Sequence, residues 1–177
     1  MSEMVKPTRV VTGKQLGGEA IVQGMKDAGI NFVAGLPDSW LAPCLEMVRD
    51  DDDFIYVPVI NEAQGITVCA GAWLGGKKPA MVMESSGLLV SAEVLMRLSS
   101  YQIPFVMIIS HRGTIGEGFS WAYCMGWSLE PVLQALRIPY VEAYNRQETK
   151  KLIPRALSSA QGSKVPVAVL IHQEVVK

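Results

Sequence analysis

Histidine, cysteine and the usual phosphate-binding glycine patterns are all scarce or missing in this chain. Its two histidines, His111 and His172, lie far apart, and there is no GxSxG elbow, so a serine–histidine triad is not expected. No group of His, Cys and carboxylate residues has metal-ligand spacing, so no metal ligands are expected. The three cysteines, Cys44, Cys69 and Cys124, are odd in number and dispersed, which reads as reduced thiols of an intracellular protein, mostly packing residues. Neither GxGxxG nor GxxxxGK[ST] occurs, which removes the two common nucleotide cradles. No apolar run approaches the roughly 20 residues that span a bilayer, and the N-terminal MSEMVKPTRVVTGKQ has no apolar core of a signal peptide. A soluble, cytoplasmic protein is expected. The net charge of -1 leaves no electrostatic footprint for nucleic acid or an anionic membrane.

What is present is apolar and periodic. Of 177 residues, 49% are hydrophobic and 19% charged, enough for one domain with a substantial core. Residues 1–13 read as a flexible N-terminal segment and 14–177 as the domain. Helical spacing of apolar residues from Gly17 to Gly29 is followed by a short strand at Ile30–Ala34 and a helix at Trp40–Arg49. The acidic run Asp50–Asp53 reads as a solvated loop. Phe54–Ile60 reads as a buried strand leading into a helix of small residues around Cys69–Gly76. Further strands are expected at Pro79–Met83, Pro104–Ile109, Tyr140–Glu142 and Val165–His172. Further helices are expected at Leu88–Ser99, Leu129–Leu136 and Arg146–Ala160, with Ser110–Gly126 irregular. This alternation predicts an α/β domain, doubly wound, with a mostly parallel sheet and helices on both faces.

Such sheets gather functional loops beyond the carboxyl ends of their strands. Four loops should share that edge: Gly35-Leu36-Pro37-Asp38-Ser39, Asn61-Glu62-Ala63-Gln64-Gly65, Glu84-Ser85-Ser86-Gly87-Leu88 and Ser110-His111-Arg112-Gly113. Each combines a glycine with an ionisable or hydrogen-bonding group. Glu62 stands out, because its carboxylate falls where a strand becomes a tightly packing helix. Taken alone, Glu62 also fits an acid satisfying the amides of a helix start, and Asp38 a Pro-Asp-Ser turn cap.

Taken together, GLPDSWLAP (35–43), PVINEAQG (58–65), CAGAWLGGKKPAMVMESSGL (69–88) and IPFVMIISHRG (103–113) resemble the sulfopyruvate and phosphonopyruvate decarboxylase family of thiamine-diphosphate enzymes, in the form of a free-standing alpha subunit. The resemblance implies a pyrimidine-binding domain only. The GDG motif that grips diphosphate and Mg²⁺ in the family is missing here, so a beta subunit is implied to carry both, with the active site between chains. By position, Glu62 matches the glutamate that shares a proton with pyrimidine N1′ and so promotes deprotonation of thiazolium C2. Ser86, Gly87 and Leu88 match the loop beside the pyrimidine. Asp38 matches a loop acid near the substrate, a catalytic candidate for proton transfer or orientation after decarboxylation, with His111 and Arg112 as further substrate-binding candidates.

Two departures from the family pattern bear on the substrate. Glu84 replaces the usual glutamine, adding an acid that would repel an anion. Glu117-Gly118-Phe119-Ser120-Trp121-Ala122-Tyr123 replaces a polar stretch with aromatics, which favours a less anionic, more apolar 2-oxo acid. Carboligation through the same cofactor chemistry, a non-catalytic scaffolding subunit, and a flavodoxin-like domain are the alternatives.

Overall fold

The computed structural model describes residues 11–177. Its strands are β1 (Phe32–Gly35), β2 (Ile55–Pro58), β3 (Pro79–Glu84), β4 (Val106–Ser110), β5 (Tyr140–Ala143) and β6 (Val167–Ile171). They form one sheet in the order β2-β1-β3-β4-β6-β5, with every neighbouring pair parallel. The helices are α1 (Gly13–Ala28), α2 (Ala42–Arg49), α3 (Glu62–Leu74), α4 (Ser85–Ser100), α5 (Ser120–Ala135), α6 (Arg146–Ser163) and α7 (Gln173–Val176). No helix among the described residues is long and apolar enough to cross a membrane.

Side chains alternate across a strand, so a central strand buried on both faces must be apolar throughout. Val33, Val82, Ile108 and Val169 pack against α1, α2, α6 and α7, while Ala34, Met81, Met83, Ile109 and Leu170 pack against α3, α4 and α5. The central strands β3, β4 and β6 are almost entirely buried.

The strand order creates two places where successive connections leave to opposite faces of the sheet. The first lies between the carboxyl ends of β1 and β3, since β1 continues into α2 and β3 into α4. The second lies between β4 and β6, which continue into α5 and α7. Crevices of this kind are where open α/β sheets bind ligands.

Local signals fix the helix ends. Thr12 and Gln15 form a reciprocal capping box, with Gln15 N donating to Thr12 Oγ1 at 3.2 Å and Thr12 N donating to Gln15 Oε1 at 2.9 Å. Gly29, at φ 69°, closes α1 in the left-handed conformation that glycine adopts without strain. Asn61 caps α3 by accepting from Gln64 N at 2.8 Å.

Four expectations from sequence change here. Residues 1–10 lie outside the described residues, but Thr12 and Gly13, assigned by sequence to the flexible segment, cap and open α1. The strand before Glu62 is not buried: β2 is an edge strand, with Ile55 46% exposed. Its apolar run had the composition of a two-sided strand, although Pro58, which cannot complete a central ladder, marks an edge. Ser85–Gly87 belong to the first turn of α4 rather than to a loop. Finally, Ser120–Gly126 is helical and continues through Pro131, so α5 starts well before Leu129. The missing hydrogen bond at Pro131 is outweighed by burial of Ala122, Leu129 and Leu133, each worth very roughly 1–3 kcal/mol.

Candidate functional site

Glu62 is the first residue of α3, directly after its Asn61 cap. The residue is 9% exposed, and among the described residues its carboxylate, which is not among the fully buried unpaired groups, forms no hydrogen bond and no ion pair. The backbone of α4 holds it in place. A β-carbon on Gly87 would collide with Cβ, Cγ and Cδ of Glu62, so the glutamate stem lies directly on the first turn of α4. Gly65 seats α3 below it in the same way, since a β-carbon there would overlap the buried Met81 side chain. Ser86 is half-buried beside this contact, and Leu88 is fully buried in the core, leaving only its backbone for a ligand.

Asp38 occupies the β1 side of the first crevice. Its Oδ1 accepts from Trp40 N at 3.0 Å and Leu41 N at 2.6 Å, and its Oδ2 accepts the hydroxyl of Ser110 at the end of β4. The carboxylate therefore ties two strand ends together across β3.

Glu84 stands between them at the end of β3. Its side chain is 19% exposed, and Oε1 is buried without a hydrogen-bond partner, 4.0 Å from Arg112 Nη1. Burial pushes its carboxyl above the usual range, and the nearby charge of Asp38 adds to this, against the opposing pull of Arg112.

Arg112 is 3% exposed. Its Nε donates to Glu117 Oε2 at 2.8 Å, and its guanidinium lies 4.9 Å from the Trp40 ring, 5.2 Å from Trp121 and 5.9 Å from Phe119. The hydrogen bond from Arg112 holds the Glu117 carboxyl below its ordinary value. Glycines let this loop fold back on α5, because a β-carbon on Gly113 or Gly126 would meet the backbone of the opposite segment. Arg112 thus organises the loop that ends at the exposed Phe119 and the first turn of α5, which carries the exposed Trp121.

His111 points the other way, into the second crevice. Its Nδ1 is 3.1 Å from His172 Nε2, which is 2.8 Å from Glu142 Oε2. Burial, together with neighbouring His172, lowers the His111 pKa to about 4, so the ring is neutral. Burial alone would raise the Glu142 carboxyl, but hydrogen bonds from Tyr144 and His172 outweigh it and hold the group below its usual range.

The structure brings Glu62, Ser86 and Gly87 into one contact, and sets Asp38, Glu84 and Arg112 in the crevice beside it. His111 is separated from them by its orientation. Sequence reasoning missed Glu142 and His172, which lie 30 residues apart and become neighbours only because β5 and β6 pair. Glu84, read from sequence as an added acid that would repel an anion, is here partly buried among other acids. The buried Cys44 and Cys69 are packing residues, their thiols pushed up to about 12 by burial.

The fold is shared with 2-oxoglutarate:ferredoxin oxidoreductase from Magnetococcus marinus, whose structure has 2-oxoglutarate, coenzyme A and succinyl-CoA bound. The TM-score is 0.72 at 15% identity, covering 97% of this chain and 32% of that one. Residues 24–177 match the family model described as pyruvate flavodoxin/ferredoxin oxidoreductase, thiamine diphosphate-binding. Sulfopyruvate decarboxylase subunit alpha of Methanothermobacter thermautotrophicus is 40% identical over 86% of this chain and 93% of its own length. The Methanococcus maripaludis protein of the same name is 38% identical over 86% of this chain and 92% of its own. Phosphonopyruvate decarboxylase of Streptomyces viridochromogenes is 35% identical over 58% of this chain but only 26% of its own length. The family model and the relatives agree: the chain belongs to the sulfopyruvate decarboxylase alpha-subunit family, within the thiamine-diphosphate-binding domains of pyruvate flavodoxin/ferredoxin oxidoreductase type.

Proposed function

We propose that this chain is the pyrimidine-binding subunit of a heteromeric thiamine-diphosphate-dependent 2-oxo-acid decarboxylase, and that Glu62 exchanges a proton with the pyrimidine ring. The observation that carries the reading is a covered glutamate stem packed on the bare backbone of Gly87, which fixes the carboxylate at the mouth of the first crevice. With no partner among the described residues, that carboxylate is free to bond a ligand's ring nitrogen. The absent β-carbon at Gly87 leaves room for the glutamate beside a flat ring. When bound, thiamine diphosphate supplies the electron sink that accepts the electrons released with CO₂.

The chain's own residues then have distinct tasks. Glu62 holds or gives up one proton at its carboxylate, a role typically worth about 10² to 10⁴ in rate. Asp38, fixed at both oxygens, orients the substrate edge and keeps the β1 and β4 loops in register. Ser86 and the backbone of Gly87 and Leu88 border the ring. Arg112 shapes the loop over the crevice, and His111 lies behind it.

A beta subunit completes the reading, binding the diphosphate and Mg²⁺ for which this chain has no phosphate loop. The two relatives' designation as alpha subunits supports a partner. So does exposed apolar surface around α3 and α4, where Ile60 is 85%, Leu74 70%, Val90 61% and Met96 54% exposed. Among 2-oxo acids, the site favours one without a second anionic group. Asp38, Glu62 and Glu84 line the edge, while the nearby guanidinium of Arg112 shares its charge between Glu117 at 2.8 Å and Glu84 at 4.0 Å.

The test is Glu62→Gln in the complex co-purified with its native partner, assayed for CO₂ release from a panel of 2-oxo acids with added thiamine diphosphate and Mg²⁺. Turnover should be abolished while assembly is intact. Unchanged turnover would reject Glu62 as the proton-exchanging group and leave a scaffolding subunit as the better description.

A further inference from the structure

We propose that His111, His172 and Glu142 form a binding site for one first-row divalent cation of Zn²⁺ type at the carboxyl ends of β4, β6 and β5. His111 Nδ1, His172 Nε2 and Glu142 Oε2 all lie within 4.8 Å of one another. The same nitrogen, His172 Nε2, makes both short contacts, 3.1 Å to His111 and 2.8 Å to Glu142.

That convergence is hard to satisfy with protons. An imidazole nitrogen offers one in-plane proton or one lone pair. A proton on His172 Nε2 aimed at Glu142 leaves His111 Nδ1 at best a shared, off-line contact. A proton on His111 Nδ1 filling the His172 lone pair leaves that nitrogen facing a carboxylate with no hydrogen between them. A single cation at the common point uses all three lone pairs at once. Two imidazoles and a carboxylate are the donor set of many zinc sites, and tetrahedral bonds of their usual length put donor atoms about 3.3 Å apart. The two short contacts, 3.1 and 2.8 Å, would open by about 0.2 and 0.5 Å.

The surroundings are built to hold such donors still. His111 N donates to Ile171 O at 2.9 Å and His172 N to Ala143 O at 3.1 Å, so each ring stands on a paired strand end. The Tyr144 ring stacks on His172 with centroids 4.1 Å apart, and its hydroxyl donates to Glu142 Oε2 at 2.5 Å. Outer partners of this kind orient metal ligands. The histidines are 5% and 6% exposed. The Glu142 side chain, at 29%, leaves an entry from solvent. The cluster also fills the second crevice of the sheet, between β4 and β6, where the topology favours a ligand. Its nitrogen donors suit Zn²⁺, Co²⁺ or Ni²⁺ rather than Mg²⁺, so it is chemically distinct from the diphosphate's cation.

Because the chain has only these two histidines, imidazole signals report on this site alone. The full-length protein, stripped with chelator, is titrated with Co²⁺ followed by visible absorption, and then with Zn²⁺ followed by imidazole proton resonances. One equivalent of Co²⁺ should bind, Zn²⁺ should displace it, and both histidines should shift. His172→Ala and Glu142→Gln should each weaken binding at least about tenfold, with circular dichroism of the metal-free variants confirming the fold. If His172→Ala does not fold, Glu142→Gln, which keeps shape and volume, carries the test. Cys124→Ser should bind as the parent does. Absence of stoichiometric binding, unmoved histidine resonances, unchanged affinity in Glu142→Gln, or loss of binding in Cys124→Ser would overturn the site in favour of a hydrogen-bonded cluster or an adventitious thiol contact.

Discussion

The stem of Glu62 occupies the space that a β-carbon on Gly87 would need. One residue opens α3 and the other sits in the first turn of α4, so two helix starts are locked to each other through a missing methyl group. Gly87→Ala should therefore displace the Glu62 carboxylate without touching the rest of the core. Misplacement of a reacting group by about 1 Å can cost about 10² in rate. We expect kcat of the assembled complex to fall by about that factor, with the far-ultraviolet circular dichroism of the chain unchanged. A fully active Gly87→Ala complex would mean that Glu62 has room to relax and that the contact is only packing.

Glu84 makes the acid-rich edge testable by pH. Its carboxyl is raised above the ordinary value of 4.5, with burial the first cause. A raised folded pKa means that the group's contribution to stability is fully present below the unfolded value and is lost as pH rises through the folded one. Above its raised folded pKa the partly buried Glu84 carboxylate therefore destabilises the fold. Glu84→Gln should melt at a higher temperature than the parent at pH 7 to 8, and the gap should close as pH falls below about 4.5. Glu84 caps no amide with its side chain, so the change removes no helix-cap bond. A melting curve showing the same difference at every pH would point to packing rather than ionisation.

How far the sequence revealed this site follows from which interactions are local. The roles expected of Glu62, Asp38, Ser86, Gly87 and Leu88 came from the family resemblance, whereas the positions of Glu62 and Asp38 were legible because each lies within a few residues of a strand-to-helix junction. The parallel sheet was legible for the same reason, through the strictly apolar β3 and β4. The edge position of β2 was not, because strand order is set by crossovers and not by composition. The pairing of His111 with His172 depends on β4 and β6 becoming neighbours although β5 lies between them in sequence. The engagement of Arg112 by Trp40, Phe119 and Trp121 likewise joins segments from two different loops.

That engagement predicts a stability effect rather than a binding effect. Removing Arg112 leaves Glu117, whose side chain is 5% exposed, without its partner. Stripping one member from a buried ion pair costs about 3 kcal/mol or more. Arg112→Ala should be destabilised by about that much in urea unfolding, with exposure of Trp121 seen as a change in its fluorescence. Arg112→Lys should recover only part, since an ammonium cannot reproduce the planar fork or the stacking. The parent's advantage should shrink in acid, because Glu117 has a depressed pKa and its contribution is lost as pH falls through that value. A stable Arg112→Ala protein that loses only substrate affinity would instead assign the guanidinium to substrate.

The last prediction concerns which 2-oxo acid the complex prefers, and it rests on charge. A substrate with a sulfonate or phosphonate beside its 2-oxo acid brings a second anion to an edge carrying Asp38, Glu62 and Glu84. The nearby cation, Arg112, gives its Nε to Glu117 and lies among aromatic rings. Like charges near one another in a partly buried site cost on the order of 1 kcal/mol or more each, enough for a tenfold preference. The exposed Phe119 and Trp121 offer apolar area in place of a cation. The assembled complex should therefore show a kcat/KM at least about tenfold higher for a 2-oxo acid with an apolar side chain, such as 3-phenylpyruvate, than for sulfopyruvate. Glu84→Gln should narrow the gap by improving the anionic substrate alone, since it removes one charge without changing shape. If sulfopyruvate is the better substrate and Glu84→Gln leaves the ratio unchanged, the partner subunit must bring cations that outweigh this chain's acids.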